Sequence, residues 1–207
     1  MVTFEQLKAL KGRTPQILGH ERFFKSAVLL PLVEYQGEEC VLFEERSRFL
    51  VRQPGEICFP GGRIEKTDTT SEAAAVRETC EELGLTPEDI EVIAPLDILV
   101  APFNSVIYPF LCRIEDHDRI HPNHEVESLL YVPLQYLLAA EPIFNYISVK
   151  LTPSEDFPYE LIPNGTQYDW KSGIYPEYFY KWQGYVIWGL TARILRHFLD
   201  LVRGLAK

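Results

Sequence analysis

Arg77, Glu78, Glu81, Glu82 and Gly84 follow the spacing R-E-x-x-E-E-x-G, which places three carboxylates within two turns if the segment is helical. Taking about 100° per residue with Ala73 at zero, Val76, Cys80 and Leu83 fall at roughly 300°, 340° and 280°, and Glu81, Glu78 and Glu82 at roughly 80°, 140° and 180°. This predicts a core face and an opposite carboxylate face. Like charges so close repel and raise one another's pKa unless something neutralises them. A hard divalent cation such as Mg²⁺ does so, being held by a few carboxylates together with substrate phosphates. It would polarise a diphosphate and activate water. An acidic helix face by itself is more often a solvated surface. Here Gly61-Gly62 lies upstream, Gly84 directly follows, and a charged loop from Arg63 to Asp68 joins the pieces.

The elements that must position these acids follow from pattern. Residues 70–83 read as a helix, opened by a capping box in which Thr69 stands three before Glu72 and closed by Gly84. Upstream, the apolar runs Lys25 to Tyr35 and Cys40 to Glu45 flank Gln36-Gly37-Glu38, a hairpin signal. Phe59-Pro60-Gly61-Gly62 ends a short extended piece whose glycines allow close backbone approach. Strands are expected over 90–100 and 106–114, a helix over 134–140, and aromatic-rich strands and loops from Phe144 to Tyr185. Residues 3–11 pattern as a short amphipathic helix. Ile187, Leu190, Ile194, Phe198 and Val202 recur at helical spacing, predicting a terminal helix over 187–203. Strands interleaved with helices indicate an α/β or α+β layered fold, and 207 residues without a repeat or linker are expected to form one domain, 1–207.

With 20 Lys and Arg against 30 Asp and Glu, the net charge of -10 argues against a nucleic-acid backbone as partner, since that contact needs a basic stripe. A phosphate-bearing small molecule stays compatible if metal ions or a few placed arginines bring positive charge locally. Cys40, Cys58, Cys80 and Cys112 lack a Cys-x-x-Cys spacing and read as reduced thiols. No apolar run approaches a membrane span and no secretion signal is evident, so a cytoplasmic, non-membrane protein is expected.

The segment Gly62 to Leu85 resembles the Nudix box, G-x5-E-x7-R-E-U-x-E-E-x-G-U with U aliphatic. Asp68 stands in the place of the first glutamate, eight residues separate it from Arg77 where seven are usual, and Thr79 holds an aliphatic place. The preceding block is similar to the coenzyme A pyrophosphatase branch of that family, with Arg46, Ser47, Gly55 and Phe59 to Gly62 in register with R-[SA]-x3-R-x3-G-x3-F-P-G-G. Val51 occupies the place of the second arginine and Arg52 comes one residue late.

The resemblance implies a Nudix-type α/β/α sandwich with a mixed central sheet and the metal-dependent hydrolysis of coenzyme A to adenosine 3′,5′-bisphosphate and 4′-phosphopantetheine, with Mg²⁺ or Mn²⁺ as cofactor. It implies Glu78 and Glu82 as metal ligands, Glu81 as a further ligand or the group handling the attacking water, and the Gly61 carbonyl as another ligand. Arg77 is implied to fix the helix to its loop. The alternatives are another nucleoside diphosphate derivative such as ADP-ribose, or a non-catalytic nucleotide-sensing domain; a homodimer is left open.

Arg46 and Arg52 are candidates for diphosphate or 3′-phosphate contacts, because guanidinium forks match phosphate geometry. Glu125 is a candidate general base, weighed against an ordinary exposed glutamate. His117, His121 and His124 read as solvated loop residues, since nothing completes a transition-metal set around them. The aromatics from Tyr168 to Tyr185 either stack an adenine or line a pantetheine channel, or serve as packing.

Overall fold

The computed structural model describes residues 2–15, 17–102 and 104–205. Four helices and eleven strands follow in the order α1 (Phe4–Leu7), β1 (Phe24–Tyr35), β2 (Glu38–Arg46), β3 (Ile57–Cys58), β4 (Gly61–Arg63), α2 (Ser71–Leu83), β5 (Ile90–Pro95), β6 (Leu99–Ala101), β7 (Ser105–Ile114), β8 (Val126–Pro133), α3 (Leu134–Ala139), β9 (Ile143–Lys150), β10 (Ser172–Trp182), β11 (Tyr185–Ile187) and α4 (Gly189–Leu205).

The β1–β2 hairpin turns at Gln36 and Gly37, both at positive φ (53° and 81°), as a tight two-residue turn matching strand twist requires. β1 is the centre of the main sheet. Its C-terminal end pairs antiparallel with β2, and its N-terminal half pairs antiparallel with β4, Ala27 opposite Gly62 and Val28 opposite Gly61. Along its other edge it runs parallel to β7 from Phe24–Ser105 to Val33–Ile114, which makes the sheet mixed. β8 continues the sheet beyond β2, while β5 and β6 both pair with β7.

Side-chain alternation along a strand sends successive residues to opposite faces. In β1, Ala27, Leu29 and Val33 pack with Ala74, Ala75 and Leu83 of α2, whereas Val28 and Leu30 pack with Leu137 of α3 and Ile194, Leu195 and Phe198 of α4. The sheet is thus covered by helices on both faces, the α/β sandwich expected from the sequence. A second, three-stranded sheet, β11-β10-β9, lies against α4.

Several boundaries moved. The cap of α2 is Thr70, whose hydroxyl accepts from Ala73 N–H at 3.0 Å, in place of a Thr69–Glu72 box. The expected 90–100 strand breaks between Pro95 and Leu99, where the ladder against β7 is already irregular after Val92. The helix expected over 3–11 shortens to α1 and a 3₁₀ turn, with none of Phe4, Leu7 or Leu10 buried, so the amphipathic pattern has no core to face. Ile187 belongs to β11, and α4 starts after it. β8 was not foreseen, although Leu130 and Val132 alternate correctly for a strand buried on one side.

Candidate active site

Three pieces of chain meet at one edge of the sheet: the β3–β4 turn, the C-terminal half of α2, and the loop before β8. Gly61 sits at φ 142°, a conformation open only to glycine, and its N–H donates to Glu82 Oε2 at 2.8 Å. At Gly62 a methyl group would lie 2.5 Å from the Glu78 carboxyl carbon. The two glycines therefore let the β4 backbone lie directly against the carboxylates of α2. Gly84, at φ 66°, closes the helix, and its exposed last carbonyls are met by the 121–125 loop. His121 N–H donates to Leu83 O (2.8 Å), Asn123 N–H to Glu82 O (2.8 Å), and Asn123 Nδ2 to Glu81 O (2.9 Å).

The acids of α2 do not share one solvent-facing stripe, which corrects the helical-wheel picture. Glu82 is only 5% exposed, turned in toward the sheet, and Thr79 on the same helix is fully buried. Glu81 remains 58% exposed. Arg77 supplies the neutralising charge for the outer acids: its guanidinium bonds both oxygens of Asp68 at 3.0 Å, Glu78 at 3.0 Å and Glu81 at 3.4 Å, and it donates to Arg63 O at 3.2 Å. This fixes the 63–68 loop to the helix and holds the Asp68 carboxyl below its usual range. Asp68 does so from one residue further away than the usual spacing.

The sequence reading missed Glu44. It lies 1% exposed on β2, on the face that also carries Cys40 and Leu42 toward α2. One of its oxygens accepts from Cys58 Sγ at 3.2 Å, and the other is buried without a partner among the described residues. Burial pushes both Glu44 and Glu82 above the ordinary carboxylate range; the charge of Glu44 raises Glu82 further, and that of Glu125 raises Glu44. Burial also raises Glu78, against the lowering influence of Arg77. The one hint in the sequence was a glutamate directly after the apolar run Val41-Leu42-Phe43, in step with Cys40 and Leu42 along the strand.

The remaining candidates divide. Arg46 reaches the site, its charge acting on both Glu44 and Glu82. Arg52 is exposed and stacks over the Phe24 ring at 5.7 Å, away from those acids, while Val51 stands almost wholly in solvent. Glu125 is half-buried, its backbone tied to Ser47 and Asn123, and its charge raises Glu44. The 121–125 loop thus brings it to the site. His117 packs edge-on against Tyr35, and no described histidine joins the acids.

Among the described residues, no three His, Cys, Asp or Glu side chains close on one point as a ready-made metal cage. The donors nonetheless fit a hard ion that completes its sphere with water and phosphate oxygens. Glu44 has an orphaned buried oxygen, and in Glu82 and Glu78 burial outweighs the compensation that Arg46 and Arg77 give the charged form. A cation would provide it. Gly62 offers a specific check. Gly62→Ala should displace the flexible Glu78 carboxyl while leaving the fold intact, lowering turnover by about ten- to hundredfold with an almost unchanged Tm. Equal turnover of the variant and the parent would show that the Gly62–Glu78 contact is incidental.

A NUDIX domain model matches residues 24–151. The chain is 38% identical over 115 residues to the peroxisomal coenzyme A diphosphatase NUDT7 of Mus musculus, covering 55% of this chain and 49% of that protein. It is 31% identical over 187 residues to Nudix hydrolase 3 of Caenorhabditis elegans, covering 85% and 72%. The chain thus spans about half the length of the mouse relative and most of the nematode one. A MutT/nudix family protein from Enterococcus faecalis superposes with a TM-score of 0.52 at 13% identity, covering 98% of this chain and 70% of that one, a likeness of fold.

Proposed function

We propose, from the premise that the chain belongs to the Nudix family, that it hydrolyses the diphosphate bond of coenzyme A, giving adenosine 3′,5′-bisphosphate and 4′-phosphopantetheine, with Mg²⁺ or Mn²⁺ as cofactor. The observation that carries this is the pair of buried carboxyls, Glu82 against the Gly61 amide and Glu44 with one oxygen unpartnered among the described residues. The charge of Arg46 acts on both without offsetting their burial, so a further cation would stabilise the charged pair, and a diphosphate is the substrate that shares one. The name of the mouse relative, a coenzyme A diphosphatase, supports the choice of substrate.

In this reading Glu78 and Glu82 hold the ion, with the Gly61 carbonyl beside them. The chemistry the bound ion supplies is Lewis acidity, compensating diphosphate charge and activating water. Glu81, exposed and, among the described residues, held at its carboxylate only by long contacts to Arg77, turns toward the attacking water and accepts its proton. Arg46 presents its fork to a phosphate oxygen and stabilises charge growing on the leaving group. Arg77 and Asp68 act indirectly, holding α2 against the loop so that Gly61 and Glu82 stay in register.

We place the protein in the cytoplasm because cysteines left as thiols suit a reducing compartment; separately, among the described residues no helix is long and apolar enough to cross a membrane. The test is a substrate series with added Mg²⁺ or Mn²⁺. Coenzyme A should be cleaved with a kcat/KM about tenfold or more above dephospho-coenzyme A and ADP-ribose, the gain expected from a charge-assisted phosphate contact. A clear preference for ADP-ribose would move the substrate to a different nucleoside diphosphate. No cleavage of any diphosphate would favour a sensing role.

A further inference from the structure

On the α4 side of β1, two cavities border the site. The smaller, about 240 Å³, is lined by Arg46, Cys58 and Phe59 beside the start of α4. The larger, about 880 Å³, has largely apolar walls from Phe24, Pro102, Ile147, Val149 and Leu190. They share Gln53, Glu177 and Leu190 as lining, so Glu177 stands where one passes into the other. The larger volume suits a drug-sized ligand group.

Glu177 is 5% exposed, and its Oε2 is buried with no hydrogen-bond partner among the described residues. Tyr175, two residues back on β10 and therefore on the same face, also lines the larger cavity, and its hydroxyl is likewise buried and unpartnered. Arg193 stacks its guanidinium 4.4 Å from the Tyr175 ring centroid, fixing the ring from α4. Leaving a carboxylate oxygen and a phenol unpaired inside a protein is costly. Arg193 Nη1 is a third such atom in the cluster, and the two on the cavity wall, from Glu177 and Tyr175, mark a place that a ligand completes. A ligand that donates to Glu177 and offers an acceptor to the Tyr175 hydroxyl satisfies both. Arg52 and Lys150 line the same cavity and call for an anion on the same ligand.

We propose that the larger cavity binds the 3′-phosphoadenosine end of the substrate, with Glu177 accepting from the exocyclic amine of adenine, Tyr175 donating to a neighbouring ring nitrogen, and Arg52 with Lys150 meeting the 3′-phosphate. This rests on the coenzyme A reading above and adds the residues that select the base. Adenine carries an amino donor directly beside a ring-nitrogen acceptor, the complement of the two orphaned groups. The pantetheine end offers amide donors but no anion for Arg52 and Lys150. Distance agrees: β1 carries Ala27 beside Gly62 and Phe24 at the cavity, three residues or about 10 Å along a strand, the reach of a ribose and its base from a diphosphate.

The test is calorimetric binding of adenosine 3′,5′-bisphosphate, inosine 3′,5′-bisphosphate and 4′-phosphopantetheine to the full chain. Inosine presents a carbonyl where adenine presents the amine, so it sets an acceptor against the Glu177 carboxylate. The parent should prefer the adenosine compound by about ten- to hundredfold, and Glu177→Gln, whose amide can donate to that carbonyl, should bring the ratio within about threefold of unity. Tyr175→Phe, a smaller perturbation that keeps the ring, should weaken adenosine 3′,5′-bisphosphate by about tenfold and leave 4′-phosphopantetheine unaltered. No base preference in the parent, an unaltered ratio in Glu177→Gln, or weakening confined to 4′-phosphopantetheine would each overturn the assignment. Hydrolysis of coenzyme A by the parent is scored separately. Its absence defeats the substrate reading, whereas hydrolysis without base discrimination defeats only the assignment of Glu177 and Tyr175.

Discussion

Glu82→Gln should lower turnover roughly a thousandfold while making the metal-free protein more stable at neutral and alkaline pH. The two effects have one cause. Glu82 is a buried carboxyl whose folded pKa lies above its unfolded value, because burial comes first among its influences and the charge of Glu44 second. The stability it contributes is fully present below the unfolded value and is lost as pH rises through the raised folded value. Without a divalent ion, the Tm of the parent should therefore fall as pH climbs from the ordinary carboxylate range upward. Glutamine cannot ionise, yet its side-chain oxygen can still accept from Gly61 N–H, so the variant should lose the Glu82 part of that slope, keep the part due to Glu44, and overtake the parent. The same exchange removes a negative ligand whose Lewis-acid partner accounts for several kcal/mol of transition-state stabilisation, at about 1.4 kcal/mol per tenfold in rate. Thermal melts across pH with chelator, beside kcat with saturating Mg²⁺, check both halves. A variant that turns over normally would leave Glu82 as a structural acid only.

Gly61→Ala should be among the most damaging single methyls added to the chain. The backbone at φ 142° strains any residue with a Cβ, and the new carbon would overlap the Ala27 carbonyl oxygen and lie 2.6 Å from Val28 Cα. Both obstacles are main chain of β1, paired on its other edge with β7, and cannot rotate aside as a side chain would. Backbone strain of about 1–3 kcal/mol and overpacking of about 1–3 kcal/mol are expected together. That sum is a large fraction of a stability of roughly 5–15 kcal/mol. Gly55→Ala is the matched control. Gly55 also has a positive φ, 72°, but nothing lies within 4 Å of its added carbon, so only the strain should register. Equal denaturation midpoints for the two variants would show that the β4–β1 approach is looser than drawn.

The chemistry of the acids was legible in the sequence because it is local. Arg77 to Gly84 specify a helix with its stop, and the paired glycines mark a close backbone approach wherever the chain leads. Hairpin and strand periodicity likewise identified β1, β2, β7 and the layered α/β class. For the acids of α2 the sequence could not say which would be buried. A helical wheel assumes one core face, but α2 lies between the sheet and the β4 turn, so Glu82 faces inward while Glu81 stays in water. Glu44 was invisible as a partner because it meets Glu82 only across β2 and the β3–β4 turn. Glu125 arrives through a loop that caps α2 from 40 residues downstream, Asn123 bonding the Glu81 carbonyl across a separation of 42.

By itself, then, the sequence determined the helix, its carboxylates and the glycines that admit them, since spacing along one element sets which side chains share a turn. Only the tertiary structure decided which of those carboxyls lost water, which gained Arg77, and which stood beside Glu44. Desolvation and charge proximity depend on neighbours brought together by the fold, and no pattern along the chain encodes them.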